Sequence, residues 1–447
     1  MNMMQKVILG LQVCAFLLVS LFATSSVRGA EEEKKGWKDR FSLGNRLHVS
    51  GYGNVHYMDH SGVPRIVGKS DLNEGFFQAR EFSLFLDYQM STNVVVSTEI
   101  SAANDFKDID VGYLYFDFDI SSMMDVWDPD RLGNLTLRAG RILIPFLSYN
   151  ENKPNFKQNL MSQPFTACLL SPVINGPPEF DTLGWSDTGI LLNWNHPMGP
   201  GVFDLKFTAI EGLGSDKEVL DADYIQLATP IDTFNPAIRS RDGLNHRSTG
   251  SAGWFDDNNS EPAFTAKATY LFNDQPFDFG VSWYSGNWDN AGDENLEMYG
   301  VHFNWLARRW TLKGEYAKAA VEQTAGINVV PLPGPNLIND STGDYHMDSW
   351  YVEGSYIPFF YGEEETRFLR VVARYDEVDS NDKAVFTPWD RSRVTLGLEW
   401  QFMKNARLRF EHQEQTLDDF DHALAPFISA GGRGDVAVDM VSLIFWF

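Results

Sequence analysis

Cysteine, basic residues and long apolar runs are all scarce in this chain of 447 residues, which has two cysteines and 36 basic against 61 acidic side chains. Two cysteines cannot supply a haem-attachment array, a zinc ribbon or a disulfide framework. A formal net charge of -25 argues against a protein that binds nucleic acid by neutralising phosphates. The motifs GxSxG, HExxH and CxxC are absent as well, so we expect no enzyme, no metal site and no cofactor.

Apolar runs that could form a membrane helix are absent after residue 30. The first 30 residues contain a basic residue at Lys6, an apolar run from Val7 to Phe22 and small residues before Glu31. This pattern is typical of a secretory signal peptide. We therefore expect a signal peptide at 1–30, a short periplasmic N-terminal segment at 31–45 and one further domain at 46–447.

The chain is instead rich in segments that alternate with a period of two, the spacing of a β-strand with one polar and one apolar face. Clear cases are LHVSGYGNVHY (47–57), EFSLFLDY (81–88) and RVTLGLEWQF (393–402). In the last of these, apolar residues occupy the even positions, whereas Arg393, Thr395 and Glu399 occupy odd ones. One face of each segment is therefore suited to apolar surroundings and the other to water.

A soluble β-sandwich and a membrane β-barrel both show such alternation. The barrel is favoured by segments of about ten residues, by aromatic residues at segment ends and by connections that are short and long in turn. These features predict an all-β fold, a transmembrane antiparallel up-and-down β-barrel of about 16 strands with long extracellular loops. A count of 18 is the alternative if the connection at 213–261 contains a hairpin.

The last segment, DVAVDMVSLIFWF, ends in an aromatic residue, Phe447, preceded by alternating apolar residues. This ending resembles the sorting signal that the barrel-assembly machinery reads in outer-membrane proteins. Together with the signal peptide, it predicts a location in the outer membrane of a Gram-negative bacterium.

Six further segments resemble the phosphate-selective porin O/P family in content and order: LRAGRILIPF (137–146), FTAIEGLG (207–214), WTLKGEYA (310–317), WYVEGSYIP (350–358), VVARYDEVD (371–379) and DRSRVTLGLEW (390–400). The family's glycine, basic residue, proline and aromatic residue match Gly140, Arg141, Pro145 and Phe146. The resemblance implies a trimeric 16-stranded pore with some loops folded into the lumen. The chain lacks the N-terminal coiled coil of some relatives and a dense lysine cluster, so the resemblance does not name the solute.

The connection from Pro145 to Trp185 is far longer than two neighbouring strands need, and such loops are usually functional. We expect it to fold into the lumen as a constriction loop; an external flap is the alternative. Its charged residues are the candidates for the walls of the aperture: Glu151, Lys153, Lys157, Glu179 and Asp181.

Basic residues recur on the polar face of several strands, above all near the C-terminus. Arginine is always charged and offers a planar fork to oxyanions, so this face predicts either a path for anions or a network of salt bridges with Glu399 and Glu411. Both interpretations stay open at this stage. The predicted pore-lining basic residues are Arg138, Lys206, Lys267, Lys313, Arg370, Arg374, Arg391, Arg393, Arg407 and Arg409.

Together these patterns predict an outer-membrane porin for the passive diffusion of small hydrophilic solutes, with a preference for anions. Its expected partners are outer-membrane lipid, the barrel-assembly machinery, two further copies of the chain and the solutes themselves. The alternatives are a cation-preferring general porin and a barrel that forms a sheath or scaffold for a partner such as an electron-transfer cytochrome.

Overall fold

The computed structural model describes most of the chain from residue 46 onward. The described residues are 46–61, 75–103, 108–124, 126–152, 157–168, 185–212, 214–215, 244–245, 261–288, 292–322, 344–362, 366–379, 382, 391–417 and 435–447. The predicted signal peptide and the predicted periplasmic segment, residues 1–45, lie outside them.

Sixteen of the described strands form one closed antiparallel barrel, as the alternation predicts. The first strands are β1 (Leu47–Ser61), β2 (Phe76–Ser91), β3 (Val94–Ala103), β4 (Asp108–Asp119), β5 (Asn134–Leu143), β6 (Ser186–Met198) and β7 (Gly201–Ile210). Two short strands follow, β8 (Gly214–Ser215) and β9 (Leu244–Asn245). The others are β10 (Ala263–Phe272), β11 (Phe277–Asn287), β12 (Asn295–Leu306), β13 (Trp310–Val321), β14 (Tyr345–Tyr361), β15 (Arg367–Asp379), β16 (Arg391–Met403), β17 (Ala406–Leu417) and β18 (Asp435–Trp446).

Each barrel strand pairs with its neighbour in the chain, β7 pairs with β10, and β18 returns to pair with β1. The alternative of 18 strands is wrong. The connection between β7 and β10 contains β8 and β9, but these strands have two residues each and pair with one another in a separate sheet. Strands of that length cannot cross a bilayer, which takes about ten tilted residues.

Short and long connections lie at opposite rims of the barrel. Tight turns join β2 to β3, β6 to β7 and β16 to β17, and the long connections are at the other rim. The one longer connection on the tight-turn rim, between β4 and β5, contains two short helices, α1 (Ile120–Met123) and α2 (Pro129–Leu132). In the described part of the chain, no helix is both long and apolar enough to cross a membrane.

The two faces of the barrel wall differ as the period of two predicts. On β16, the side chains of Leu396 and Trp400 are 54% and 44% exposed on the outer face, where they would meet lipid. Their neighbours Arg393, Thr395 and Glu399 are buried in the interior. Apolar side chains are therefore found in two places. Some cover the outer face of the barrel, where they would meet lipid, and others pack inside, around a connection that enters the lumen.

The chain's last residue closes the seam between β1 and β18. The amide of Phe447 donates to the carbonyl of Gly51 at 3.0 Å, and the amide of Gly51 donates to the carbonyl of Phe447 at 3.1 Å. A Cβ at position 51 would lie 2.7 Å from Cζ of Phe447, so only glycine lets the terminal ring lie against the neighbouring strand. That Phe447 acts as a sorting signal stays a prediction.

Candidate pore lining

Residues 144–152 and 157–168, which we call the inserted segment, follow the end of β5 and lie inside the barrel. The amide of Leu147 donates to Oγ of Ser282 on β11 at 3.0 Å. Farther along, the amide of Met161 donates to Oε2 of Glu411 on β17 at 2.6 Å. These contacts place most of the described residues of the segment against the inner face of β11–β17, which we call the covered wall.

Buried carboxylates of the covered wall hold the segment by its backbone. Glu315 accepts from the amides of Ser148 and Tyr149 at 2.8 and 2.7 Å, and Asp376 accepts from the amide of Phe165 at 3.1 Å. Charged acceptors form the stronger class of hydrogen bond, so each carboxylate satisfies backbone donors that would otherwise be buried without a partner.

Two glycines of the same wall give the segment room to approach. A Cβ at Gly300 would lie 2.4 Å from Cδ2 of Leu147, and one at Gly397 would lie 2.4 Å from Cδ2 of Leu160. Real Cβ atoms do not come that close, so larger residues at these two positions would displace the leucines. The wall therefore fits this segment both by its glycines, which leave room, and by its carboxylates, which accept hydrogen bonds.

Three of the predicted arginines lie beneath the segment. The guanidinium of Arg374 contacts Asp376 at 2.8 Å and donates to the carbonyl of Ser162 at 2.9 Å. Arg393 contacts the same carboxylate at 3.3 Å, donates to the carbonyl of Gln163 and lies over the Phe165 ring, 4.3 Å from its centroid.

Arg409 is held in the same way, by Glu399 at 2.9 Å and by the segment carbonyls of Leu160 and Gln158. The side chains of all three arginines are almost fully buried. They face the interior, but the segment separates them from any water-filled path. The sequence predicts charge along an open lumen, and in the structure this charge is covered because a connection from the opposite side of the barrel lies on it.

Two other predicted arginines remain partly accessible near the tight-turn rim. Nη1 of Arg370 and Nη1 of Arg407 contact Glu399 at 3.0 and 3.4 Å, and both side chains are 15% exposed. Since Arg409 shares that carboxylate, three guanidinium groups meet one acid. These four side chains therefore carry a net positive charge that the salt bridges do not cancel.

Of the predicted constriction-loop residues, Glu151 bridges the ammonium groups of Lys206 and Lys267. Burial raises the pKa of Glu151, but the two ammonium groups outweigh burial and lower its pKa to about 2. Lys206 also contacts Asp204 at 3.4 Å. Lys157 is exposed. Lys153, Glu179 and Asp181 lie outside the described residues.

The remaining predicted basic residues differ from one another. Both Nε and Nη2 of Arg138 donate to Asp117, at 2.7 and 2.9 Å. Lys313 on β13 is half-buried and lies opposite Glu353 on β14. Arg391 begins β16, but its side chain is outside the description.

The sequence analysis missed a row of inward-facing rings on β2 and β4, on the inner face of β2–β5, which we call the open wall. Phe85, Tyr113 and Tyr115 stack in sequence, with ring centroids 6.5 and 5.1 Å apart. They occupy the polar-face positions of EFSLFLDY (81–88) and VGYLYFDF (111–118), which is the signal that could have revealed them. In the described part of the chain, no metal-binding group of three or more His, Cys, Asp or Glu residues is present on either wall.

A model of the phosphate-selective porin O and P family matches residues 254–423. This match confirms the predicted family. It spans β10 to β17, the part of the porin that forms most of the covered wall, whereas the resemblance in the sequence motifs also extends to β5 and β7. The family match also confirms the predicted location in the Gram-negative outer membrane and indicates a channel rather than an enzyme.

Solved structures are similar to the porin in fold. The outer membrane channel DcaP of Acinetobacter baumannii has a TM-score of 0.51 at 10% identity, with 91% of this chain and 99% of that chain covered. OmpF of Salmonella typhi, in complex with daunomycin, has a TM-score of 0.51 at 11% identity, with 90% and 98% covered. No curated protein matches the chain significantly in sequence. At these identities the likeness supports the closed barrel alone.

Proposed function

We propose that the porin lets small hydrophilic solutes diffuse passively across the outer membrane. The observation that carries this proposal is the one-sided attachment of the inserted segment. Most of the segment's described residues lie on the covered wall, while charged side chains such as Arg138 and Asp117 on the open wall remain 28% and 30% exposed. A lumen narrowed from one side, with accessible charges on the other, suits a selective aqueous pore.

The sheath or scaffold alternative needs an interior wide enough for a protein partner. The inserted segment reduces that space, because it is bonded to the wall from β11 to β17 at positions that include Ser282, Glu315, Asp376 and Glu411. Removing it would leave buried carboxylates without their donors. The structure therefore supports diffusion more strongly than it supports a sheath.

We further propose a preference for anions, which rests on Arg370 and Arg407. Both side chains are 15% exposed, and together with Arg409 their guanidinium groups outnumber the single carboxylate of Glu399. Positive charge on a low-dielectric wall raises the local concentration of anions. A cation-preferring porin is the second candidate, since the carboxylates of Asp87 and Glu99 lie on the open wall.

Planar-bilayer recording in a KCl gradient tests both proposals. A stepwise conductance supports diffusion, and the sign of the reversal potential gives the preferred ion. The variant Arg370→Gln/Arg407→Gln should shift the reversal potential toward cations. The matched control Lys318→Gln/Lys404→Gln removes two charges from exposed positions on the outer face and a turn, and it should leave the potential unchanged.

Three outcomes would contradict the proposals. A protein that inserts but never conducts would overturn passive diffusion and favour the sheath. A cation-selective reversal potential in the unaltered protein would favour the second candidate. An unchanged reversal potential in the double variant would show that Arg370 and Arg407 stabilise the wall but do not determine the preferred ion.

The partners also remain proposals. We propose that the porin is a homotrimer in outer-membrane lipid, delivered by the barrel-assembly machinery through the strand that ends at Phe447. The family resemblance and the apolar outer face support these assignments. Cross-linking in native membranes would test the trimer, and deletion of Phe447 with measurement of the amount assembled would test delivery.

A further inference from the structure

The rings of the open wall form a continuous surface from one strand to the next. Phe85 and Tyr113 have centroids 6.5 Å apart and planes within 20°, and Tyr113 and Tyr115 have centroids 5.1 Å apart and planes within 27°. All three side chains are half-buried, so each keeps part of its surface toward the lumen. Aromatic faces carry negative charge density, which attracts cations.

Carboxylates lie between and beside these rings. Glu99 on β3 is the cross-strand partner of Phe85 on one side and of Tyr113 on the other. Asp87 is exposed two residues farther along β2. Their bonds are to hydroxyl groups: Ser101 donates to Glu99 at 3.1 Å and Ser97 donates to Asp87 at 2.6 Å. Within the described residues, no ion pair joins Glu99 or Asp87 to a basic side chain.

On the same wall, another ring and carboxylate already hold a cationic side chain of the protein itself. The guanidinium of Arg138 lies over the Tyr115 ring, 3.8 Å from its centroid. Its edge donates two hydrogen bonds to Asp117, at 2.7 and 2.9 Å. A planar cation on a ring, with a carboxylate at its edge, is therefore a geometry that this wall accepts.

We propose that Phe85, Tyr113 and Glu99, with Asp87 beside them, form a binding site for small planar organic cations of the guanidinium or amidinium class. The rings supply the flat face and Glu99 supplies the counter-charge, as Tyr115 and Asp117 do for Arg138. Charge and ring act together here, because a carboxylate alone would hold any cation and a ring alone would hold any apolar solute.

The site is on the side of the lumen that solutes can reach. The inserted segment bonds to Ser282, Glu353 and Glu411 on β11, β14 and β17. By contrast, Glu99 and Asp87 accept from serines of their own wall, and the three rings stack on one another. Tyr115 alone also packs against the apolar cluster at the start of the segment. A solute that passes the segment therefore passes the wall that carries Phe85 and Tyr113.

The inference rests on the proposed function, since the site matters only if solutes enter the lumen. It does not depend on which inorganic ion the pore prefers. Reversal potentials measure the field averaged over the whole lumen, whereas binding of a planar cation depends on one ring pair and its carboxylate.

Block of the KCl current in planar bilayers tests the site, with benzamidinium as the probe. Benzamide, which has nearly the same shape and no charge, and methylammonium, which is charged and not planar, are the control probes. We expect benzamidinium to reduce the conductance in a concentration-dependent way at millimolar or lower concentration, and the two controls to act at least about tenfold more weakly.

Three single variants locate the block. Glu99→Gln removes the counter-charge, and Phe85→Leu and Tyr113→Leu remove a ring while keeping apolar volume. Each should raise the benzamidinium concentration for half-block by about tenfold. The matched control is Asp278→Asn, which removes one lumen charge from β11, away from the rings, where Asn304 donates to the carboxylate at 2.9 Å. It should leave the block within about twofold.

The outcomes separate the site from the proposed function. A protein with no KCl conductance refutes passive diffusion. A protein that conducts KCl but is blocked equally by benzamidinium and benzamide, or not at all, refutes the planar-cation site alone. Unchanged block in Glu99→Gln would likewise refute it, even if the two ring variants weaken the block, because the carboxylate would then play no part.

Discussion

The covered wall and the open wall of the barrel share one sequence pattern and differ in what their inward charges contact. On the covered wall, Arg393 and Asp376 are both fully buried and bond to the inserted segment. On the open wall, Arg138 and Asp117 form a closer pair, at 2.7 Å against 3.3 Å, whose side chains stay 28% and 30% exposed. The difference teaches that alternation determines the direction of a side chain, whereas a distant connection determines whether water reaches it.

That difference changes what the charges can do. Buried ion pairs are expensive to break, because the remaining partner stays charged without solvent. Exposed pairs contribute little to stability and remain able to attract ions. The covered wall is therefore mainly a support for the segment. The charges that solutes could meet are those of the open wall, together with Arg370 and Arg407 of the covered wall, which lie at the border of the segment.

Breaking one ion pair on each wall should give the largest contrast. Arg393→Met leaves Asp376 buried beside Arg374 alone and should lower the free energy of unfolding by about 3–5 kcal/mol. Arg138→Met should lower it by about 1 kcal/mol or less. Urea unfolding of the protein in lipid vesicles, followed by tryptophan fluorescence, measures both. Equal losses would mean that the two walls are equally hydrated.

The outer faces of the two walls should respond alike. Leu396 on β16 and Leu114 on β4 are both exposed near the middle of their strands. Leu396→Arg and Leu114→Arg should each lower the free energy of unfolding by about 2–4 kcal/mol, since each puts a charge in lipid. The controls Leu396→Phe and Leu114→Phe should stay close to the parent in the same unfolding assay. A loss on one wall only would show that the walls also differ outside.

Releasing the segment should convert the covered wall into an open one. Glu411 accepts from the amides of Met161 and Ser162, and Glu411→Gln weakens both bonds, at a cost of about 1–3 kcal/mol. We expect a higher and noisier single-channel conductance. Glu414→Gln, on the outer face of the same strand, is the control and should conduct like the parent protein. A Glu411→Gln conductance equal to the parent's would show that the other contacts suffice.

Acid should loosen the segment at its other attachment, with a smaller effect. The pKa of Glu151 is lowered from 4.5 to about 2, so its ionised form stabilises the folded segment above about pH 4.5. This contribution decreases as the pH falls and is lost near pH 2. In the parent protein, conductance should rise as the pH is lowered from about 5 to about 2. In Glu151→Gln it should be raised already at neutral pH, and a parallel rise in both proteins would assign the effect to other groups.

The barrel could be predicted from the sequence because its determinants are local. Alternation in RVTLGLEWQF (393–402) fixes the two faces of a strand, and short turns fix which strands are neighbours. The direction of Arg393 follows from these rules alone. The entry of the inserted segment into the lumen also had a local signal, a connection too long for its two strands.

The cover over the arginines could not be predicted in that way. It depends on contacts such as Gln158 with Arg409, whose partners are 251 positions apart in the chain. The ring row was missed for a related reason. Phe85, Tyr113 and Tyr115 were on the predicted inner face, but their stacking depends on the register of β2, β3 and β4, which shifts between Glu99 and Ile100. The shift interrupts the period of two, because Val111 and Leu114, three positions apart, take the same face, so alternation alone does not give the stacking.

The seam between β1 and β18 has a consequence for the order of assembly. Its hydrogen bonds join Gly51 to Phe447, so forming them closes a loop that contains all the intervening strands. Contacts between such distant residues form slowly, because the entropy of closing the loop is lost before the contact is gained. Until then, two strands present unpaired edges to any other chain. The risk of pairing with another chain during assembly is therefore concentrated at one seam, and it ends when β1 and β18 have paired.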